Sequence, residues 1–169
     1  AAFENPHDSG RVEASMSTVA VSHQGFTCGE PRKLVQGTTV AGKYNYTDNI
    51  RGSWMAIDLK QYRLSPEAYC LRSDACQQMH KLRSWRLEGS AEGETWITLK
   101  EHVNDAALGG EPFGTAAWTL PGFENVELRH FRIVQTDVNS SGNNFLTCAG
   151  LELYGVLRGG AGAEEAMEE

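Results

Sequence analysis

The side chains best able to do chemistry in this chain are arginines, amides and aromatics placed between apolar runs. Arg51, Arg72 and Arg83 carry rigid forks of donors that suit carboxylates and hydroxyls. Asn139, Asn143 and Asn144 add amide donors and acceptors, and Tyr44, Tyr46 and Phe145 add ring faces for stacking. Brought together, such a set could hold a peptide acid or the hydroxyls of a sugar. The structural alternative is a local ion pair for each arginine with an acid such as Asp58, Asp74 or Asp137, and Arg83 is read that way. For Tyr44, Tyr46 and Phe145 the alternative is packing within their own loops.

Bond-breaking chemistry finds no comparable set, so the domain is expected not to be an enzyme. The five histidines, His7, His23, His80, His102 and His130, are scattered. His102 lies three residues before Asp105, but no G-x-S-x-G elbow accompanies the pair. Asp105 reads instead as the cap of a turn after the KEHVND run. Cys28, Cys70, Cys76 and Cys148 form no C-x-x-C pair, which argues against zinc and for four free thiols in a reducing compartment. Two glycosylation triplets occur, Asn45-Tyr46-Thr47 and Asn139-Ser140-Ser141, and they matter only if the chain is secreted.

The elements that must position these residues are strands. Trp54–Leu59, Glu67–Arg72, Leu82–Glu88, Thr95–His102, Thr115–Leu120, Arg129–Thr136 and Leu146–Gly155 are short, rich in aromatic or β-branched residues, and bounded by Gly, Pro, Asn or Asp. Arg11–Ser22 is β-like with partial alternation, and a short helix there is the other reading. The runs on either side of Gly89–Glu94 form a hairpin. Trp85 and Trp96, which flank that turn, are expected to fill the gap between two packed sheets. Strands at this spacing predict an all-β sandwich of antiparallel sheets. If successive strands alternate in direction, alternate loops emerge at one end. Gly42–Ser53, Ser73–Lys81, Val103–Gly114 and Asp137–Phe145 then share one rim, and the tight connections Lys60–Pro66, Ser90–Glu94 and Pro121–Leu128 share the other. Binding tends to reside where long loops gather on a rigid scaffold.

Length and charge narrow the partners. The 169 residues suit one domain. The net charge is -7, and four of the acids (Glu164, Glu165, Glu168 and Glu169) lie in a Gly/Ala-rich end. The body through Arg158 is close to neutral, with 18 acids against 15 bases, which argues against a nucleic-acid partner. No apolar run is long enough to cross a bilayer, so no membrane role is expected. The domain is placed at 1–158, and 159–169 is read as an acidic flexible tail or linker.

The ordered runs WMAIDL, YCLR, LRSWRLEGSAEGETWITL, RHFRIVQT and GLELYG resemble the discoidin, or coagulation factor five/eight type C, family. That resemblance implies an eight-stranded jelly roll of the galactose-binding-like fold. Adding Asn5-Pro6, Gly10-Arg11-Val12, KEHVND and LRHFRI, the chain looks closest to intracellular members, such as the discoidin-like module within an ankyrin-repeat HECT-type ubiquitin ligase. The resemblance implies a non-catalytic module that binds a protein or peptide through its long loops, or in the alternative a carbohydrate. It implies an intracellular, cytoplasmic setting, since no cysteine follows Tyr154-Gly155 to make the terminal disulfide of secreted members. It also implies a calcium site in some relatives, with Glu152 in the place of the acidic ligand on the last strand. No dense acidic cluster supports that site, and the chain is expected to need no cofactor.

Overall fold

The computed structural model describes residues 2–37 and 44–160. Eight strands form two antiparallel sheets: β1 (Glu13–Met16), β2 (Trp54–Asp58), β3 (Tyr62–Arg72), β4 (Trp85–Ser90), β5 (Ile97–His102), β6 (Thr115–Thr119), β7 (His130–Gln135) and β8 (Gly150–Gly159). The larger sheet runs β1-β2-β7-β4-β5 and the smaller β6-β3-β8. One 3-10 turn, Pro31–Val35, lies between β1 and β2 in the chain. Among the described residues no helix is long and apolar enough to cross a membrane.

The sandwich follows from side-chain alternation. Met55 and Ile57 on β2 point inward, and Trp54, Ala56 and Asp58 between them point outward. On β7 Phe131 and Ile133 are fully buried, as are Trp85 and Leu87 on β4 and Tyr69 and Leu71 on β3. Burying each such side chain contributes about 1.5–3 kcal/mol. Trp118 on β6 stacks on Tyr69 with ring centroids 5.0 Å apart and meets Trp85 edge-on at 5.3 Å.

Two strands differ from their sequence-based limits. β3 begins at Tyr62, inside the segment read as a tight connection, because Pro66 sits at a bulge where pairing with β8 shifts between Pro66 and Ala68. That bulge lets a proline stay within a central strand. β8 ends at Gly159 because Val156–Gly159 pairs with Tyr62–Ser65, while Thr147 makes only an isolated bridge to Tyr46. The segment Arg11–Ser22 supplies only the four residues of β1. The tail reading for 159–169 lies, from residue 161 on, outside the described residues.

Trp96 departs from expectation. It is half-buried on the outer face of the larger sheet, with the Arg132 guanidinium 3.9 Å from its ring centroid. It precedes β5, and the β4–β5 register shifts at Leu87/Glu88, so the turn carries its ring over Arg132 rather than into the core.

His102 and Asp105 belong to the core. The Trp85 indole N–H donates to the Tyr69 hydroxyl at 3.1 Å, that hydroxyl bonds His102 Nε2, and His102 Nδ1 meets Asp105 Oδ2 at 2.7 Å. The imidazole stacks on Trp85 at 3.9 Å. Asp105 Oδ1 also accepts the Ala107 N–H at 2.8 Å, which is the expected turn cap. The Trp85, Tyr69, His102 and Asp105 side chains satisfy one another in this relay, which rigidifies the core.

Burial holds the His102 imidazole below the usual histidine range, with Asp105 only partly opposing it, and burial does the same to His130. A histidine that is harder to protonate folded than unfolded contributes stability that is complete above its unfolded pKa of about 6.5. That stability is lost as pH falls from there toward the folded value. Melting temperature should therefore drop on acidification below about pH 6.5, and His102→Gln and His130→Gln should each flatten the profile. Melts across that range check this, and an equally steep profile in both variants would contradict it.

Candidate functional site

The four long segments converge at one pole of the sandwich. The Asn45 N–H donates to Asp74 Oδ2 at 3.0 Å, joining 42–53 to 73–81. Asn144 N–H reaches Asn49 Oδ1 at 2.7 Å, and His80 N–H reaches Ser141 Oγ at 2.9 Å. The Gln78 N–H donates to the Gly110 carbonyl at 2.7 Å, which adds 103–114. A fifth segment that sequence reading missed, the hairpin closed by the Val21–Thr27 bridge, joins them through the Ala20 N–H bond to the Tyr46 carbonyl at 3.1 Å. The first two residues of Gly42–Ser53 lie outside the described residues.

An internal cation organises the pole. Lys81 is 1% exposed, and its ammonium donates to the Cys76 carbonyl at 2.5 Å, the Glu111 carbonyl at 2.9 Å and Ser73 Oγ at 3.3 Å. Burial lowers its pKa, and the nearby Asp74 carboxylate works against that shift. Nothing in the run CQQMHK marks this lysine as internal, because two of its three acceptors are main-chain carbonyls contributed by folding.

The predicted binding residues fall into two groups. Tyr44, Tyr46, Phe145 and His80 form an aromatic row with centroids 6.5, 5.6 and 5.3 Å apart. Tyr44 is exposed and Tyr46 half-buried, and burial raises the Tyr46 hydroxyl pKa. Arg51 is exposed on the turn before β2, and Asn144 is half-buried with its backbone held by Asn49.

The others are consumed by the scaffold. Arg72 donates to the carbonyls of Gln36 at 2.6 Å and Ala149 at 2.9 Å. Asn139 is buried, with its Nδ2 donating to Asn143 Oδ1 at 2.6 Å and to the Phe145 carbonyl at 3.0 Å. Its Oδ1 accepts the Ser141 and Asn143 N–H groups. Asn143 is spent the same way, with its Nδ2 on His80 Nδ1 at 3.1 Å. The NSSGNN run closes its own loop, as asparagine readily does. The expected acid partners of the arginines also differ: Asp58 pairs with Arg129 at 2.7 and 3.0 Å, and Asp74 accepts backbone N–H groups of Asn45 and Cys76. Arg83 donates to the Leu82 and Gly109 carbonyls rather than to the acid expected for it.

Glu152 stands on the exposed side of β8 and accepts the Tyr154 hydroxyl. No group of three or more metal-capable side chains occurs among the described residues. Neither glycosylation triplet offers its amide: Asn45 Nδ2 donates to the Cys148 carbonyl at 2.8 Å and Asn139 is spent as above. Both asparagines are buried.

What the pole does present is apolar. Phe26, Val21, Ile50 and Met79 are each more than half exposed, and Tyr44 and Val138 project beside them. They come from four of the segments that meet at this end, the 21–27 hairpin, 42–53, 73–81 and 137–145. Surface apolar residues scattered singly need no explanation, but a gathering on one pole marks an interaction surface.

No protein-family model matches the chain. In sequence it is 40% identical over 117 residues to the E3 ubiquitin-protein ligase Ufd4 of Drosophila melanogaster, covering 68% of this chain and 4% of that protein. It is 35% identical over 111 residues to the E3 ubiquitin-protein ligase hecd-1 of Caenorhabditis elegans, covering 65% of this chain and 4% of that protein. The chain thus spans about 4% of the length of the curated relatives it matches first. In structure it is similar to the CBM32 module CpGH89CBM32-5 from Clostridium perfringens, solved in complex with GalNAc-β-1,3-galactose. The TM-score is 0.63 at 10% identity, over 86% of this chain and 96% of that one. The sandwich is the discoidin-like, galactose-binding-like fold expected from the sequence.

Proposed function

We propose that this discoidin-like sandwich is a non-catalytic recognition module that holds a protein or peptide partner against its loop pole, within a larger intracellular protein of the ubiquitin-ligase type. The observation that carries the reading is the set of exposed apolar side chains, Val21, Phe26, Tyr44, Ile50 and Met79, on converging loops. A protein surface can bury such side chains, and buried aromatic and aliphatic anchors dominate protein interfaces. A sugar asks for free, convergent hydrogen-bonding groups, and the amides of Asn139 and Asn143 are spent internally, while the Arg72 guanidinium donates through one nitrogen to the Gln36 and Ala149 carbonyls and its Nε is buried away from the surface. The likeness to segments of two E3 ubiquitin-protein ligases supports the context. The four free cysteines and the buried asparagines of the two glycosylation triplets suit an intracellular setting.

The test is a peptide-array and pull-down screen run beside a glycan array. Phe26→Ser with Ile50→Ser should weaken partner capture by about tenfold or more, as expected when central apolar anchors are lost. The melting temperature should stay close to that of the parent, since both residues are exposed. Capture that survives the double substitution, or a glycan hit that is lost on Tyr46→Ala, would overturn the reading.

A further inference from the structure

The smaller sheet ends in an open edge. β8 is its outermost strand and pairs only with β3 among the described residues. Its ten residues are long for an edge, which proteins usually keep short, cover, or break with proline and charge. The pairing fixes which backbone groups that edge leaves free. Leu64 on β3 exchanges both of its main-chain bonds with Leu128, each at 2.9 Å, on the side away from β8. Leu157 faces Leu64 across the ladder, so the two form a non-hydrogen-bonded pair. The N–H and C=O of Leu157 therefore point off the free side of the sheet.

That side opens on an apolar groove of about 560 Å³. Leu151 and Leu153 of β8 pack into the sandwich, and alternation puts Leu157 on the same inner face. Leu157 is nevertheless 56% exposed, because no further strand lies beyond it. Phe3 and Val12 of the N-terminal segment and Leu34 of the 3-10 turn line the opposite wall, with Ile57 and Leu59 beneath. The Phe3 ring lies against Gly37, where an added Cβ would come within 2.6 Å of it.

Charge and backbone chemistry together select the occupant. The charges flanking the groove are paired off: Arg11 with Glu4 at 3.6 Å, Arg158 with Glu127 at 3.2 Å, and Arg32 with Asp8. Glu152 accepts the Tyr154 hydroxyl on the outer face of β8. A charged ligand therefore gains little, and the groove complements an uncharged one. Unpaired main chain beside an apolar hollow asks for another main chain. An extended segment set one strand spacing away, about 4.8 Å, would satisfy the free N–H and C=O groups. The same segment would drop every second side chain into the groove. A fatty chain or a compact apolar molecule would fill the hollow and leave the edge unpaired.

We propose that the β8 edge takes an extended segment of a partner protein as an added strand, with uncharged apolar residues at alternate positions. This is a second interaction surface, carried by a strand edge and not by the loops of the pole, and either reading can fail without the other.

The test is a titration of the full chain with a short capped peptide alternating threonine and valine, followed by backbone amide resonances. The peptide should shift the Leu153 and Leu157 amides and slow hydrogen exchange at Leu157. An N-methylated copy, with the same side chains and no main-chain donors, should bind about tenfold more weakly or worse. Leu157→Pro removes one outward N–H without touching the ladder to β3, and should weaken binding by a similar factor. Phe26→Ser with Ile50→Ser at the pole should leave peptide binding unchanged. The proposal is overturned if the peptide does not bind at millimolar concentration, if the N-methylated copy binds as well, or if the shifts map to the pole. It is equally overturned if sedimentation shows the chain already paired through this edge, since the occupant would then be a second copy.

Discussion

Replacing Lys81 by methionine should lower the stability of the domain by about 3–5 kcal/mol. Methionine keeps most of the apolar stem, so the loss isolates the ammonium. Without it the Cys76 carbonyl and the Ser73 hydroxyl remain in a buried setting with their charged donor gone, and the Glu111 carbonyl keeps only the Ser73 hydroxyl. Each orphaned acceptor carries its own desolvation penalty, and a charged donor makes the missing bonds stronger than neutral ones. For a chain of this size such a loss corresponds to a fall in melting temperature of about 10 °C or more. Lys81→Arg should not rescue it, because a planar fork cannot occupy a point-charge cage. Amide exchange should rise first in 73–81 and 108–114, the two segments the ammonium ties together. The same logic predicts that neither calcium nor a chelator shifts the melt, since the cation binding these loops is covalently part of the chain. A fall below about 1 kcal/mol in Lys81→Met, or a chelator-induced drop, would refute the clamp.

Much of the architecture was legible because strands have period two. Met55 and Ile57 inward against Trp54, Ala56 and Asp58 outward can be read from WMAID alone, and the same holds for Phe131 and Ile133 in HFRIV. Alternating strand direction was enough to gather the long loops at one pole. Departures came where a neighbouring strand changed the local rule. Pro66 reads as a terminator until β8 supplies a bulge for it. Trp96 reads as core until the shift at Leu87/Glu88 and the guanidinium of Arg132 place it outside.

The pole's side-chain roles were less legible for a physical reason. Whether an amide or a guanidinium is free depends on which carbonyls the fold brings beside it. Arg72 and Asn139 have the chemistry of ligand-binding residues, and their donors end on Gln36, Ala149, Asn143 and Phe145. Exposed Phe26 and Met79 were passed over because an apolar residue in sequence looks like core wherever it stands. The polar residues at this end build the loops, and the apolar ones are left to face a partner.

Asn45→Ala should cost about 3–4 kcal/mol, while Tyr44→Ala, one residue earlier, should cost less than about 1 kcal/mol. Asn45 is fully buried. Its Oδ1 accepts the Glu30 N–H at 2.9 Å and its Nδ2 donates to the Cys148 carbonyl at 2.8 Å, so one side chain joins three segments distant in sequence. Alanine would leave the part-buried Glu30 N–H and the buried Cys148 carbonyl unpaired around a new cavity, with a desolvation penalty that is largest for the carbonyl. Aspartate, nearly the same shape, should fare no better. It would keep the Glu30 bond but set a second carboxylate near Asp74 and oppose the Cys148 carbonyl. Gly29 packs so closely that an added Cβ would lie 2.6 Å from Asn45 Oδ1, which leaves no room for the side chain to move aside. Because the Glu30 contact anchors the hairpin that carries Val21 and Phe26, Asn45→Ala should also loosen that hairpin in amide exchange. Thermal melts of the two variants check the ranking, and equal losses would mean that this asparagine does not organise the pole.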